Sequence, residues 1–212
     1  MTEREPMIEA IDLCKHYGSF AAVGYLAPTS GTARLCGVDV VTDRVRAVEK
    51  LGYLPENGPL YPEMTPRELL HFFGEARGMA PGSIAERLTF VTEQCDLAEL
   101  LDKPIGTLSK GQKQRTGMAQ ALLHDPEVLI LDEPTTGLDP NQIRHVRELV
   151  KKLGQTRTIL LSTHLFQEVE AMAQRVLLVD GGRLRFDGTP AEFKSKGGGR
   201  FDEAFHALTT NA

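Results

Sequence analysis

The chain has 212 residues, 41% hydrophobic and 25% charged, a make-up that excludes a disordered tail or a fibrous repeat and fits an ordinary globular protein. That length suits one large domain, or a core with a sizeable insert, and leaves room for a substantial interior. With 24 basic against 29 acidic residues the formal charge is -5, which argues against nucleic acid as a partner, so any phosphate must be held locally.

In chain order, alternation and β-branching predict strands over Met7–Leu13 and Thr32–Val41, with Ala27-Pro-Thr-Ser-Gly31 as the turn before the second. At Thr65-Pro-Arg-Glu68 the pattern changes to a capping box with proline at the first helical position. Leu69, Leu70, Phe72, Phe73 and Ala76 follow at helical spacing. Ser83-Ile-Ala-Glu86, after Ala80-Pro-Gly82, has the same form and predicts a second helix with Leu88, Val91 and Cys95 on its apolar stripe. Residues 62–107 therefore read as a helical insert.

Val128-Leu-Ile-Leu131 and Thr158-Ile-Leu-Leu161 are short continuous apolar runs, the form of strands covered on both faces, separated by a helical stretch from about Asn141 to Leu153. Strand, helix, strand at this spacing implies a right-handed parallel crossover, with both carboxyl ends on one edge of the sheet. Asp132, Glu133 and His164 are thereby expected near one another, on the edge where open α/β sheets bind ligands. A hairpin from Val176 to Phe186 turning at Asp180-Gly-Gly182, and a helix opened by Thr189-Pro-Ala-Glu192, follow. The longest apolar runs fall far short of the roughly 18 residues a membrane span requires. The polar start, Met1–Pro6, leads into no apolar signal core, so the expected compartment is the cytosol. Cys14, Cys36 and Cys95 sit in apolar patterns, as buried thiols of a reducing compartment do.

Four apolar residues followed by Asp132-Glu133-Pro134 resemble a Walker B strand, in which Asp132 holds Mg²⁺ through water and Glu133 polarises the water attacking a γ-phosphate. The same heptapeptide also fits a strand that merely ends in acids before a proline turn. Upstream, Leu108-Ser-Lys-Gly-Gln-Lys-Gln-Arg115 opens a helix whose amides and positive dipole end can receive an anion, with Gly111 allowing close approach. Alone, Ser109-x-x-Gln112 is an ordinary capping box. In this order, the octapeptide, Val128 to Asp139 with its Thr-Thr-Gly-Leu-Asp, and Ser162-Thr-His164 resemble the ATP-binding subunits of ABC transporters, over nearly the whole chain from Met7 to Thr209.

The resemblance implies an α/β fold: a P-loop NTPase-like core of mostly parallel sheet, with an antiparallel β part and a helical insert. Within a single domain, 1–212, the core would span 7–61 and 108–188, the helical subdomain about 62–107, and C-terminal helices 189–212. It implies ATP and Mg²⁺ as cofactors. Tyr17 matches the aromatic residue that stacks on adenine, although an exposed tyrosine after the first strand has the same appearance. Ser109, Gly111 and Gln112 match the signature motif, which in the family contacts nucleotide on the opposite subunit of a dimer. Asp139 matches the D-loop at that interface, and His164 the switch histidine at the γ-phosphate, catalytic together with Glu133. Leu51-Gly-Tyr-Leu-Pro-Glu56 matches the Q-loop, with Glu56 where most members have glutamine. That acid can approach Mg²⁺, as Asp132 does, or the attacking water, and it adds negative charge beside a triphosphate. The implied partners are a transmembrane permease, which the helical insert meets, and a second ABC ATPase subunit in a homodimer or heterodimer. The implied location is the cytoplasm, peripheral on the inner face of the cell membrane. Tyr61-Pro-Glu-Met-Thr65 onward is most similar to exporter subunits of drug, lipid or gliding-motility transporters.

The family's P-loop, Gly-x-x-x-x-Gly-Lys-Ser/Thr, has no counterpart here: neither Gly-Lys-Ser nor Gly-Lys-Thr occurs in the sequence. Phe20-Ala-Ala-Val23 resembles the family just before its second strand, whereas Gly24-Tyr-Leu-Ala-Pro-Thr-Ser-Gly31 resembles the stretch after the helix that follows the P-loop. The implied fold thus lacks the P-loop strand and helix, about three dozen residues. The lysine, the Mg²⁺-binding hydroxyl and the cradling amides go with them. About five charge-assisted bonds at roughly 1.5 kcal/mol each amount to on the order of 7 kcal/mol, or about five decades of affinity. A missing central strand would also leave its neighbours without partners and a helix-sized gap in the core. Three expectations follow. The chain is an ABC ATPase subunit, its own site impaired, coupling ATP hydrolysis to transport; or a non-hydrolytic partner lending Ser109 to Gln112 to an intact ATPase; or a deleted product without the ancestral activity.

Overall fold

The computed structural model describes residues 6–14, 16–17, 20–21, 28–56, 58 and 60–210. Strands β1 (Ile8–Cys14), β2 (His16–Tyr17) and β3 (Phe20–Ala21) come first, then β4 (Ser30–Leu35), β5 (Val38–Asp39), helix α1 (Arg44–Glu49) and β6 (Leu51–Leu54). Helices α2 (Pro66–Ala76) and α3 (Pro81–Gln94), a 3-10 turn at Ile105–Thr107, and α4 (Lys110–Leu122) precede β7 (Val128–Asp132), α5 (Pro140–Leu153) and β8 (Thr158–Ser162). Then follow α6 (Phe166–Met172), β9 (Val176–Asp180), β10 (Arg183–Gly188), α7 (Pro190–Ser195) and α8 (Phe201–Thr210). The chain forms two compact units, Met1–Ile8 with Arg34–Ser162, and Glu9–Ala33 with Thr163–Ala212. Among the described residues no helix is long and apolar enough to cross a membrane.

The first unit is organised on a parallel sheet in the order β6-β7-β8. Leu54 lies beside Leu131, and Asp132 beside Ser162, so the three strands end along one edge. Helix α4 packs on β6 so closely that a methyl at Gly52 would collide with the Ala121 carbonyl oxygen and lie 2.6 Å from the Leu129 side chain. Leu129 and Leu131 are wholly buried. On β7's other face, Val128 joins Leu35 and Ala47 in a small core with Met7 and Leu51 around it. Helices α2 and α3 bury Leu69, Leu70 and Val91 completely. The Thr65 hydroxyl accepts from the Glu68 amide and the Glu68 carboxylate from the Thr65 amide, the reciprocal cap the sequence predicts.

In the second unit β9 and β10 form an antiparallel hairpin turning on Gly181 and Gly182, both at positive φ, as a two-residue connection matching the strand twist requires. Phe193 is buried against Phe186 and Phe201 at ring distances of 5.1 and 5.5 Å. Thr189 and Glu192 close a capping box at the start of α7.

Several expectations are corrected. Thr32–Val41 is not one strand: Cys36 and Gly37 turn through positive φ, and β5 folds back antiparallel on β4. Ser30 and Gly31 already belong to β4, not to a turn before it. Ser83 caps nothing; α3 begins at Pro81 with Ala80 as its N-cap, because the fixed φ of proline starts the helix one turn earlier. Strand β8 is not covered on both faces: Leu160 is 40% exposed. The short helices α1 and α6 were not anticipated; neither has a side-chain cap. The Val23–Gly24 junction lies outside the described residues.

Replacing Gly52 by alanine is expected to cost about 1–3 kcal/mol through the forced methyl, read as a lower midpoint in urea. His124 donates from Nε2 to the Leu51 carbonyl at 3.0 Å, and burial, with Arg77 and Arg87 nearby, pushes its pKa down to about 4. The unfolded chain therefore binds this proton first, near pH 6.5, and the folded one only near 4. Stability is expected to be full above about 6.5 and to fall as pH drops toward 4; the same urea series on His124→Gln should show a shallower fall.

Candidate functional site at the sheet edge and two helix ends

Asp132 ends β7 opposite Ser162 of β8, and the Ser162 hydroxyl donates to Asp132 Oδ1. The chain then turns sharply: Glu133 has φ +47, a left-handed value costly for a side-chain-bearing residue. Two bonds hold it there, from the Glu133 amide to the Ser162 carbonyl at 3.1 Å and to Ser162 Oγ at 3.3 Å. Thr136 Oγ1 donates to Glu133 Oε2 at 2.9 Å, fixing the carboxylate. On the same sheet face as Asp132, the phenol of half-buried Tyr53 is pushed up to about 12, by burial first and by the Asp132 charge second.

Asp139 is the N-cap of α5, its Oδ1 accepting from the amides of Asn141 and Gln142 at 2.9 and 3.0 Å. Gln142 returns Oε1 to the Asp139 amide and completes the box. Ser109 and Gln112 do the same for α4, at 2.9 and 3.3 Å. The two helix ends meet, for the Gln142 amide group fills the space a side chain at Gly111 would need. Lys110 likewise extends over Gly137. A cleft of about 270 Å³ opens beside this junction, lined by Gly111, Arg115, Asp139, Gln142 and His145 among others.

The structure thus brings Asp132 and Glu133 together, and sets Ser109, Gly111 and Gln112 on one helix end against the Asp139 cap of the next. Glu56 follows β6 on the same sheet edge; it is exposed, with no hydrogen bond or ion pair to Asp132 or Glu133 among the described residues. His164 is exposed and belongs to the second unit. Tyr17 is described only in its backbone, in β2; its side chain lies outside the described residues. Among the described residues no group of three or more His, Cys, Asp or Glu side chains is placed to hold a metal ion. Sequence reasoning quoted Ser162 and Thr136 within motifs without giving them a role, and passed over Gln142. The last was findable, since Asp139-Pro-Asn-Gln142 has capping-box spacing.

This architecture is the α/β fold of ABC ATPases: it matches a solved chain titled "Structure of ATP binding subunit of ABC transporter" with a TM-score of 0.82 at 24% identity, covering 96% of this chain and 99% of that one. A family model described as ABC transporter matches residues 21–136, and the chain belongs to that family. It is 35% identical over 177 residues to the linearmycin resistance ATP-binding protein LnrL of Bacillus subtilis, spanning 83% of this chain and 57% of that protein. It is 37% identical over 172 residues to the Nod factor export ATP-binding protein I of Ralstonia nicotianae, 80% of this chain and 53% of that protein. The chain thus spans little more than half the length of these relatives.

Asp139→Ala is expected to destabilise the chain by about 1 kcal/mol, and Asp139→Asn by clearly less, because asparagine still accepts from the α5 amides. Urea unfolding of the two variants side by side measures the difference.

Proposed function

We propose that the chain is the ATP-binding subunit of an ABC transporter, coupling ATP binding and hydrolysis to transport through a separate membrane-spanning permease, and that its own half-site is impaired because it lacks a P-loop. The observation that carries this is the joint cluster of the first unit: Asp132 bonded to Ser162, Glu133 set by Thr136, and the capped end of α4 seated against α5. The carboxylate of Asp132 and the hydroxyl of Ser162 are oxygen donors of the kind Mg²⁺ takes, and they would hold the ion, Asp132 through water. When bound, Mg²⁺ neutralises phosphate charge. Glu133 is positioned as the general base by the Thr136 hydroxyl. Glu56 sits toward the same edge, His164 serves the γ-phosphate and Tyr17 the adenine.

What is missing is the grip on the triphosphate. With no Gly-Lys-Ser/Thr in the sequence, neither a P-loop lysine nor its amide cradle is available. Asp132 and Glu133 alone repel a polyanion. Ser109, Gly111 and Gln112 serve nucleotide held by a second ABC subunit, in a homodimer or heterodimer. Exposed Tyr61 and Phe72, edge to face at 6.2 Å beside α2, offer an aromatic surface to the permease, which keeps the chain at the inner membrane face. The export and resistance roles in the names of the relatives support an exporter.

A second reading is favoured by one feature: the signature end of α4 is capped by its own Ser109 and Gln112 and needs no P-loop to form. The chain then acts as a non-hydrolytic partner lending that end to an intact subunit. The purified chain is expected neither to bind micromolar ATP nor to release phosphate. Tight binding with turnover abolished by Glu133→Gln would overturn the impaired site. Added to an intact ABC ATP-binding subunit, it is expected to raise phosphate release, and Ser109→Ala to remove most of that gain; no gain would exclude the second reading.

A further inference from the structure

Among the described residues Glu168 is the one charged side chain that is wholly buried. Taking a carboxylate out of water is costly unless hydrogen bonds compensate it, and the site described above makes no use of this one. Glu168 stands at the third position of α6, where Glu68, Gln112, Gln142 and Glu192 stand in α2, α4, α5 and α7. Each of those side chains accepts from the amide of its own N-cap residue and is at least partly exposed. In α6 the N-cap is Leu165, which offers no side-chain cap. The hydroxyl comes instead from Thr163, two positions earlier. Thr163 Oγ1 accepts from the Leu165 amide at 3.1 Å and donates to Glu168 Oε2 at 3.3 Å, and the Glu168 amide donates to the Leu165 carbonyl at 2.9 Å. These three bonds close a ring, and the single residue between the hydroxyl and the N-cap is the exposed His164.

We propose that Thr163 and Glu168 are positioning residues for His164: they fix the backbone on both sides of it, so that the imidazole leaves the turn in one direction while its ring stays open to a ligand. The proposal rests on the reading that His164 serves the γ-phosphate. An imidazole on a loose turn samples many directions, whereas a group that meets developing charge is worth most when it is already aimed. The hydroxyl has one proton to give. Giving it to Glu168 leaves its lone pairs to the Leu165 amide, and burial keeps water from competing for the bond. In the boxes of α2, α4, α5 and α7 the side chain that caps belongs to the N-cap residue itself, which leaves no residue to be held in this way. The displacement of the hydroxyl in α6 makes room for one, and that one is His164.

The test is amide-nitrogen NMR relaxation of the whole chain without nucleotide, which reads the order parameters of His164 and Leu165 on the picosecond-to-nanosecond scale. Values of about 0.85 are expected for both. Thr163→Val keeps the shape and removes the hydroxyl; it should lower them below about 0.6 and leave those of α7 and α8 unchanged. Thr163→Ser should hold them at the native level. Glu168→Gln still offers an acceptor and should also keep them high, whereas Glu168→Ala should lower them. A purely structural role would lower the urea midpoint of Thr163→Val and Glu168→Ala without loosening these two amides, and that outcome overturns the proposal. So does a Thr163→Ser chain no tighter at His164 than Thr163→Val. If Glu168→Ala does not fold, the two Thr163 variants decide alone. His164 ring signals that stay still in millimolar Mg-ATP while the Glu133 amide shifts would overturn the γ-phosphate reading instead and leave the fixed turn standing, so the two failures are separable.

Discussion

The ladder between β7 and β8 is the constraint on which the site depends. Five residues of one strand lie in register with five of the other, and the last pair is Asp132 with Ser162. A slip of one residue would send every side chain to the opposite face and put leucine where the carboxylate stands. Because the register is held by the wholly buried Val128, Leu129 and Leu131, apolar packing far from any polar chemistry decides where the Asp132 carboxylate meets a hydroxyl. The carbonyl of that same serine holds Glu133 in its left-handed turn, so one residue of β8 places both the last residue of β7 and the acid that follows it.

From that turn the chain passes to α5, and the fit becomes a matter of absent side chains. Gly111 gives the Gln142 amide room, while Gln142 is itself engaged in capping α5 through Asp139. Helix α4 rests at Gly52 on the same sheet, so its beginning is seated on α5 and its far half on β6. Helix α4 is thus in contact both with the sheet, at Gly52, and with the loop after Glu133, where Lys110 lies over Gly137. The high phenol pKa of Tyr53 belongs to the same neighbourhood, where burial outweighs the charge of Asp132.

Features resting on contacts three residues apart were legible in the sequence. The boxes at Thr65, Ser109 and Thr189 form because their partners are local and the geometry is always the same. The parallel pairing of β7 and β8 was legible from two apolar runs and the helix between them. Ser83 misled because Pro81, two positions earlier, offers the chain a cheaper start. The turn at Cys36 was hidden because cysteine has no habit of positive φ, and only the pairing of β4 with β5 calls for it. The seating of Gln142 on Gly111 and of Lys110 over Gly137 joins residues about thirty apart, and no local pattern announces such a meeting. Glu56 was placed by resemblance alone, whereas His164 was expected at this edge from the strand-helix-strand crossover as well.

The division of the chain between its units bears on the order in which a ribosome can deliver them. Nearly all of the first unit is one continuous stretch, Arg34–Ser162, which can acquire its interior as soon as that stretch has emerged. The second is assembled from Glu9–Ala33 and from Thr163 onward, so its early portion must wait while the whole intervening unit is synthesised. At about 5–20 residues per second that delay is on the order of ten seconds, during which the early strands can already pair with one another, β1 with β4 and β2 with β3.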